Sequence, residues 1–344
     1  MRLLVVTAAS LLSLAAGCGG NDENESGGAQ DGEMKLVVYS GREEELVEPL
    51  FEEFEHHTGI DVEVRYGDSA ELAATIAEEG DNSPADVFFA QDPGSLGAVE
   101  AEGLLAELPD EILDRVPERF RDPDGHWVGT SGRARVVAYN TDELSEAELP
   151  SSILDYTDPK WKGRIGLPPT NASFQAFVSA MVLTLGEERT RQWLEGIKAN
   201  DPKLYEKNTP TVEAVAAGEI TVGFVNHYYL YLVKEEQPDA PVANDYLPGD
   251  DPGALVSVAG AGILGSAEHD EAARSLVGFL LSETGQRFYV DEAEEAEYPL
   301  VEGVDPVAGL PPLEELQGPQ IELDALGPQL EKTLELLNEV GFTS

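Results

Sequence analysis

Lys35-Leu36-Val37-Val38-Tyr39 is an apolar, β-branched run that reads as a buried strand, and Ser40-Gly41 turn the chain out of it. The acids Glu43, Glu44 and Glu45 suit the first turn of a helix. Leu46, Leu50, Phe51 and Phe54 then recur at helical spacing until Gly59, a C-cap. Ile60, Val62 and Val64 alternate as a second strand. Ser69 is expected to cap a helix through Glu79, with Leu72, Ala73 and Ile76 on one face. Asp86-Val87-Phe88-Phe89 is a third strand, and Pro93 heads the next helix. Strand–helix–strand–helix–strand at this spacing predicts an α/β fold with a parallel sheet.

Downstream, Arg133 to Tyr139 and Ala254 to Leu264 read as long strands, and Ile220 to Val225 as a short buried one. Helices are predicted over Ser173–Leu185, Glu187–Ala199, Pro210–Ala217, Asp270–Leu281 and Leu323–Val340. Ligands of open α/β sheets lie at the carboxyl ends of strands. That rule places Ser40-Gly41-Arg42-Glu43, Ala90-Gln91-Asp92 and His227-Tyr228-Tyr229 on one kind of edge.

Upstream, Met1-Arg2 and the apolar run from Leu3 to Ala16 read as a secretory signal peptide, too short to span a bilayer as a mature helix. Leu14-Ala15-Ala16-Gly17-Cys18 resembles a bacterial lipoprotein box, although Ala15 stands where a larger aliphatic residue is usual. Cys18 is the only cysteine, so it can form no internal disulfide, and lipidation accounts for it. The expectation is a signal peptide over 1–18, a flexible acidic tether over 19–34, and export with a lipid anchor on the outer face of the cytoplasmic membrane.

Motifs for catalysis are missing. Gly129-Thr130-Ser131-Gly132 lacks the spacing of a nucleophile elbow, and there is no P-loop, His-Glu-x-x-His or Gly-x-Gly-x-x-Gly. Asp122-Pro123-Asp124-Gly125 hints at a calcium loop without an acid at the closing position. His56-His57 suits the end of a helix dipole better than a metal site. Tyr228-Tyr229 follows an apparent strand directly. Neighbouring side chains diverge in a regular strand or helix, but at a strand-to-helix corner two phenols can converge. Phenolates are hard donors that suit a highly charged cation such as ferric ion. The residues alone leave this open against a plain pair of core or rim aromatics.

Longer strings carry a family likeness from Lys35 to the C-terminus. They include Val38-Tyr39-Ser40-Gly41-Arg42, Ser83-Pro84-Ala85-Asp86-Val87-Phe88, Ser131-Gly132-Arg133-Ala134-Arg135, Trp161-Lys162-Gly163-Arg164, Asn226-His227-Tyr228-Tyr229 and Glu297-Tyr298-Pro299-Leu300. In these the chain resembles the ferric-iron-binding receptors of bacterial ABC importers, the bacterial transferrins. The resemblance implies a two-lobed, type II periplasmic-binding-protein clamp with a two-strand hinge near 133–139 and 254–264. One lobe would comprise 35–132 plus 265–306, the other 133–264 plus 307–344. It implies that Tyr228 and Tyr229 ligate iron. Where relatives add a histidine and a glutamate, this chain carries Glu43, a hard donor, and Gln91, a poorer one. Where others add a tyrosine, it carries Phe174. Phosphate or carbonate would complete the shell, held by Asn171, Ala172 and Ser173 at a helix N-terminus and by Asn208, Asn226 and Arg133. The implied partners are a permease and an ATPase, with the receptor acting as a monomer and without catalysis. A receptor for a small organic or phosphorylated solute, as in relatives that carry thiamine or phosphonates, is the alternative; a surface-anchored hydrolase is a more distant one.

With 21 Lys+Arg against 67 Asp+Glu, the 344-residue chain has a net charge of −46. Phosphate backbones would be repelled, which excludes nucleic acid as a partner. The acids are spread along the chain and form a solvated, self-repelling surface. Salt relieves such repulsion as the Debye length falls to ~3 Å near 1 M. The melting temperature should therefore rise across a KCl series, and a salt-independent value would refute a high-salt habitat.

Overall fold

The computed structural model describes residues 35–291 and 296–343; the signal peptide, Cys18 and the tether lie outside them. Strand β1 (Lys35–Ser40), helix α1 (Glu44–Thr58), β2 (Asp61–Tyr66), α2 (Ser69–Glu79) and β3 (Val87–Ala90) follow in the order the sequence predicts. β1 pairs in parallel with both β2 and β3. Helix α1 turns Val47, Leu50, Phe51 and Phe54 onto the sheet and ends at Gly59. Ser69 is not the cap of α2. Asp68 is, its carboxylate accepting from the N–H groups of Ala70 and Glu71 at 2.9 and 3.3 Å. A carboxylate answers the positive helix end better than a hydroxyl does. Ser69 Oγ instead accepts the backbone N–H of Gln91 at 2.9 Å, tying α2 to the end of β3.

Helices α3 (Pro93–Ala101) and α4 (Asp110–Leu113) lead to β4 (Trp127–Asn140), in which all 14 residues are buried. Then come β5 (Ile165–Leu167), α5 (Ala172–Leu185), α6 (Glu187–Ala199), β6 (Lys203–Leu204), α7 (Asn208–Ala216) and β7 (Val222–Asn226). Helix α7 opens two residues ahead of the sequence expectation. Pro210 lies in its first turn, where a missing N–H removes no helix bond. The chain closes with α8 (Tyr229–Glu236), β8 (Val242–Asp245), β9 (Val256–Ile263), α9 (Asp270–Leu280), α10 (Glu283–Asp291), β10 (Tyr298–Pro299) and α11 (Leu326–Val340).

Among the described residues the strands form one sheet in the order β2-β1-β3-β9-β4-β7-β5-β6, with β10 and β8 also paired to β4. β4 begins six residues before the predicted run, and its partners change along its length. Trp127 to Ala134 pair with β9, while Arg135 to Tyr139 pair with β7. Helix α11 packs against α5 and α6 and also against α3. A second apolar cluster gathers Val136, Ala138, Val212, Val215 and Val225 where β4 and β7 meet α7. No helix among the described residues is long and apolar enough to cross a membrane.

β8 carries a destabilising charge. Burial, with Glu146 adding to it, pushes the Asp245 carboxyl from 3.8 up to about 6. A value higher in the folded state means that ionisation opposes folding. The stabilising effect of the neutral carboxyl is fully present below the unfolded value and is lost as pH rises through about 6. Asp245→Asn should therefore stabilise the protein at neutral pH by ~1 kcal/mol, a figure discounted for its partial exposure. Urea unfolding at pH 4 should show no gain.

Candidate metal centre

The corner after β7 is fixed by a buried histidine. His227 N–H continues the pairing by donating to the Ala134 carbonyl at 3.0 Å. The ring lies between two chain segments: Ala134 N–H donates to Nδ1 at 3.2 Å, and Nε2–H donates to the Ala296 carbonyl at 2.9 Å. Burial pushes the imidazole down to about 4, so it is neutral at physiological pH, as one donor and one acceptor require. The chain then turns at Tyr228 (φ −70°, ψ −22°) and α8 begins at Tyr229. The turn makes adjacent phenols converge. Their oxygens are 3.1 Å apart and their ring centroids 4.3 Å apart, with planes inclined at 33°. Burial first, and then Tyr229, push the Tyr228 phenol well above its ordinary value, with Arg133 opposing. Only a strong Lewis acid would displace that proton near neutral pH.

β4 faces this corner with two arginines two residues apart, hence on one side of the strand. Both are buried. Arg135 donates to Phe224 O at 2.8 Å, Asn226 Oδ1 at 3.0 Å and Ser173 Oγ at 3.3 Å, and it lies over the Phe177 ring. Burial pushes it down to about 9, with the two tyrosines acting in the opposite sense, so it stays cationic at neutral pH. Arg133 donates to the Gln91 carbonyl, and its Nε lies 3.6 Å from Glu297 Oε1. Glu297 also receives Arg42 at 3.2 Å and the Ser131 hydroxyl. Burial alone would raise its carboxyl. The two guanidiniums and the hydroxyl together hold it below the usual carboxylate range.

Four of the residues expected to bind an anion, Asn171, Ser173, Asn208 and Asn226, form one connected network through Arg135. Asn171 caps α5, its Oδ1 accepting from Ser173 N–H (3.0 Å), Ser173 O–H (2.6 Å) and Asn208 Nδ2 (3.1 Å). Asn208 Nδ2 also reaches Ser173 Oγ at 3.1 Å, while its own Oδ1 is buried without a partner among the described residues. Ala172 is the first residue of α5. Ser173 and Asn226 join this group to Arg135, whereas Arg133 is turned towards Gln91 and Glu297. Phe174 is fully buried among core aromatics.

The two remaining ligand candidates differ in setting. Glu43 is exposed at the start of α1, beside an open depression lined by Gly41, Arg42, Tyr66 and Gly67 and by neither tyrosine. Gln91 is half-buried, its Oε1 enclosed without a partner and its carbonyl held by Arg133. The connectivity thus favours Gln91 over Glu43, the reverse of the donor-strength ranking. Arg135, Arg42 and Glu297 were not among the sequence-derived site residues. The signal for Arg135 was the Arg-x-Arg alternation in an otherwise apolar strand. Nothing local marks Glu297 as the partner of residues so far away in the chain.

The chain matches the bacterial extracellular solute-binding protein family over residues 82–315 and belongs to it. It is 36% identical to the major ferric iron-binding protein of Neisseria meningitidis serogroup B, covering 89% of this chain and 93% of that one. It is 33% identical to the Fe(3+)-binding periplasmic protein of Serratia marcescens, over 91% and 92% of the two chains. Iron-bound HitA from Pseudomonas aeruginosa superposes with a TM-score of 0.81 at 36% identity, covering 90% of this chain and 99% of that one. The chain thus shares the periplasmic-binding-protein fold that the resemblance implied.

Replacing His227 by Phe would strand the buried Ala134 N–H and Ala296 carbonyl. At about 1–3 kcal/mol for each unsatisfied group, urea unfolding should show a loss of roughly 2–6 kcal/mol. His227→Gln, which keeps a donor and an acceptor, should recover part of it.

Proposed function

We propose that this protein is an extracytoplasmic receptor that captures ferric ion with a synergistic anion and delivers it to the permease and ATPase of an ABC importer. The observation that carries the proposal is the convergence of two phenols, 3.1 Å apart, beside a buried arginine and a ring of amide and hydroxyl side chains. The names of its relatives support the same ligand. Tyr228 and Tyr229 would bind the ion as phenolates, with Gln91 or Glu43 as a further oxygen donor. Phosphate or carbonate would be held by Arg135 together with Asn171, Ala172, Ser173, Asn208 and Asn226, and Arg133 would add charge. An oxygen-only shell favours Fe³⁺ over Zn²⁺ or Cu²⁺.

The clamp would divide into 35–132 plus 265–306 and 133–264 plus 307–344, closing as a monomer about the strands near 133–139 and 254–264. The change of partner along β4 between Ala134 and Arg135 supports a hinge there. Lipid attachment at Cys18 would hold the receptor on the outer face of the membrane. The relatives are binding proteins, which accords with capture and release without catalysis. AfuA from Actinobacillus pleuropneumoniae, a structure with fructose-6-phosphate bound, is 20% identical with a TM-score of 0.72, which speaks for the fold alone.

Adding ferric citrate to the purified protein should produce a broad visible phenolate-to-iron band that saturates near one ion per chain. The band should vanish in Tyr228→Phe/Tyr229→Phe. Because two phenol protons leave on binding, the apparent affinity should fall by up to about 100-fold per pH unit on acidification. A parent protein without the band would shift the reading to a small organic or phosphorylated solute.

A further inference from the structure

The Asp122-Pro123-Asp124-Gly125 turn, which lacks a closing acid of its own, finds acidic partners elsewhere in the chain. Gly125, at φ 84°, allows the tight reversal that brings His126 back over Asp122. Asp122 Oδ2 accepts from His126 N–H at 2.8 Å and lies 3.2 Å from His126 Nδ1. Asp122 Oδ1 is buried and has no partner among the described residues, in a side chain only 1% exposed. From the last turn of α3, Glu100 places Oε1 3.5 Å from His126 Nδ1. One donor atom from each of Glu100, Asp122 and His126 lies within 4.8 Å of the others.

A third carboxylate comes from the segment that leads into α11. Asp324 lies against Gly97 of α3, where a Cβ would come 3.0 Å from the Asp324 carbonyl oxygen and 3.1 Å from its Cβ. Gly97 and Glu100 are three residues apart, so both belong to one face of the helix. Asp324 Oδ1 is likewise buried and unpartnered. Burial, followed by Asp122, raises the Glu100 carboxyl, and burial raises that of Asp324, where Asp122 contributes too. Among the described residues, His126 is the one basic side chain within ion-pair distance of Glu100 or Asp122.

We propose that Glu100, Asp122 and His126, with the Asp324 carboxylate adding negative charge nearby, form a second site that binds a divalent transition-metal ion of the Mn²⁺ or Zn²⁺ type. Two carboxylates and one imidazole suit such ions better than Mg²⁺, which prefers an all-oxygen, largely hydrated shell. The carboxyl end of α3 adds the negative end of a helix dipole, which favours a cation. An ion here would tie the start of α11 to α3 and to the turn before β4. The site shares no residue with the tyrosine corner.

The test is a Mn²⁺ titration of the purified whole protein in about 1 M KCl, which screens diffuse attraction to the acidic surface. Binding is read as loss of the free-ion EPR signal. A single ion should bind saturably, should persist in Tyr228→Phe/Tyr229→Phe, and should raise the melting temperature. Glu100→Gln and His126→Ala, which leave the Asp122 turn in place, should each weaken binding at least ~10-fold. Absence of saturable binding, equal affinity in both variants, or loss of the ion in the tyrosine double variant would each overturn the proposal.

Discussion

Burying guanidinium groups in the middle of a sheet is the constraint on which the rest of the structure depends. β4 is buried along its whole length, yet it carries Arg133 and Arg135. A charge withdrawn from water must be paired or fully hydrogen-bonded, and the two arginines solve this differently. Arg133 shares the carboxylate of Glu297 with Arg42. Among the described residues, Arg135 is satisfied by neutral oxygens alone: a carbonyl, an amide and a hydroxyl. The second solution satisfies hydrogen bonds and leaves the charge uncompensated. Everything gathered around Arg135 can therefore be understood as a place prepared for negative charge, whether two phenolates or a small anion.

This local polarity is opposite to that of the whole molecule. A chain with net charge −46 attracts cations from a distance, while the tyrosine corner presents fixed positive charge at close range. A bare divalent cation gains little from meeting two arginines. A trivalent ion that displaces phenol protons and arrives with an anion brings the negative charge that Arg135 lacks. On the proposed reading, selectivity rests on this contrast as much as on the hardness of the phenol oxygens.

The fold was legible where patterns were local and repeated. The alternation in Ile60, Val62 and Val64 and the helical spacing of Leu46, Leu50 and Phe54 each gave an element within a residue or two of its observed bounds. Competition between neighbours was harder to read, as when Asp68 displaced Ser69 as a cap and freed its hydroxyl for Gln91. The tyrosine corner was visible as a possibility, because two phenols directly after a strand can converge only if the chain turns there. The charge network beneath it was not, since the link from Arg133 to Glu297 is set by how β4 and the stretch beside β10 come together. Donor strength ranks Glu43 above Gln91, whereas the hydrogen bonding sets Gln91, and not Glu43, against Arg133. A side chain's donor chemistry is written in its residue type, but its position is set by contacts such as the one Arg133 makes with the Gln91 backbone.

Helix α3 joins the two ends of this arrangement. It starts immediately after Gln91 and Asp92, next to the arginines, and ends at Glu100 and Ala101 beside the Asp122 turn. Nine residues at about 1.5 Å each make a rigid rod of roughly 13 Å. Its positive end lies next to Gln91, whose carbonyl Arg133 holds, and its negative end next to the carboxylates proposed for a divalent ion. The same helix supports the start of α11, which also packs on α5, whose first turn carries Ala172 and Ser173. A cation fixed at the far end of α3 would hold α11 against it and thereby steady the base of α5. The two proposed sites would then be coupled through packed helices, with no side chain in common, by the stiffness of the elements between them.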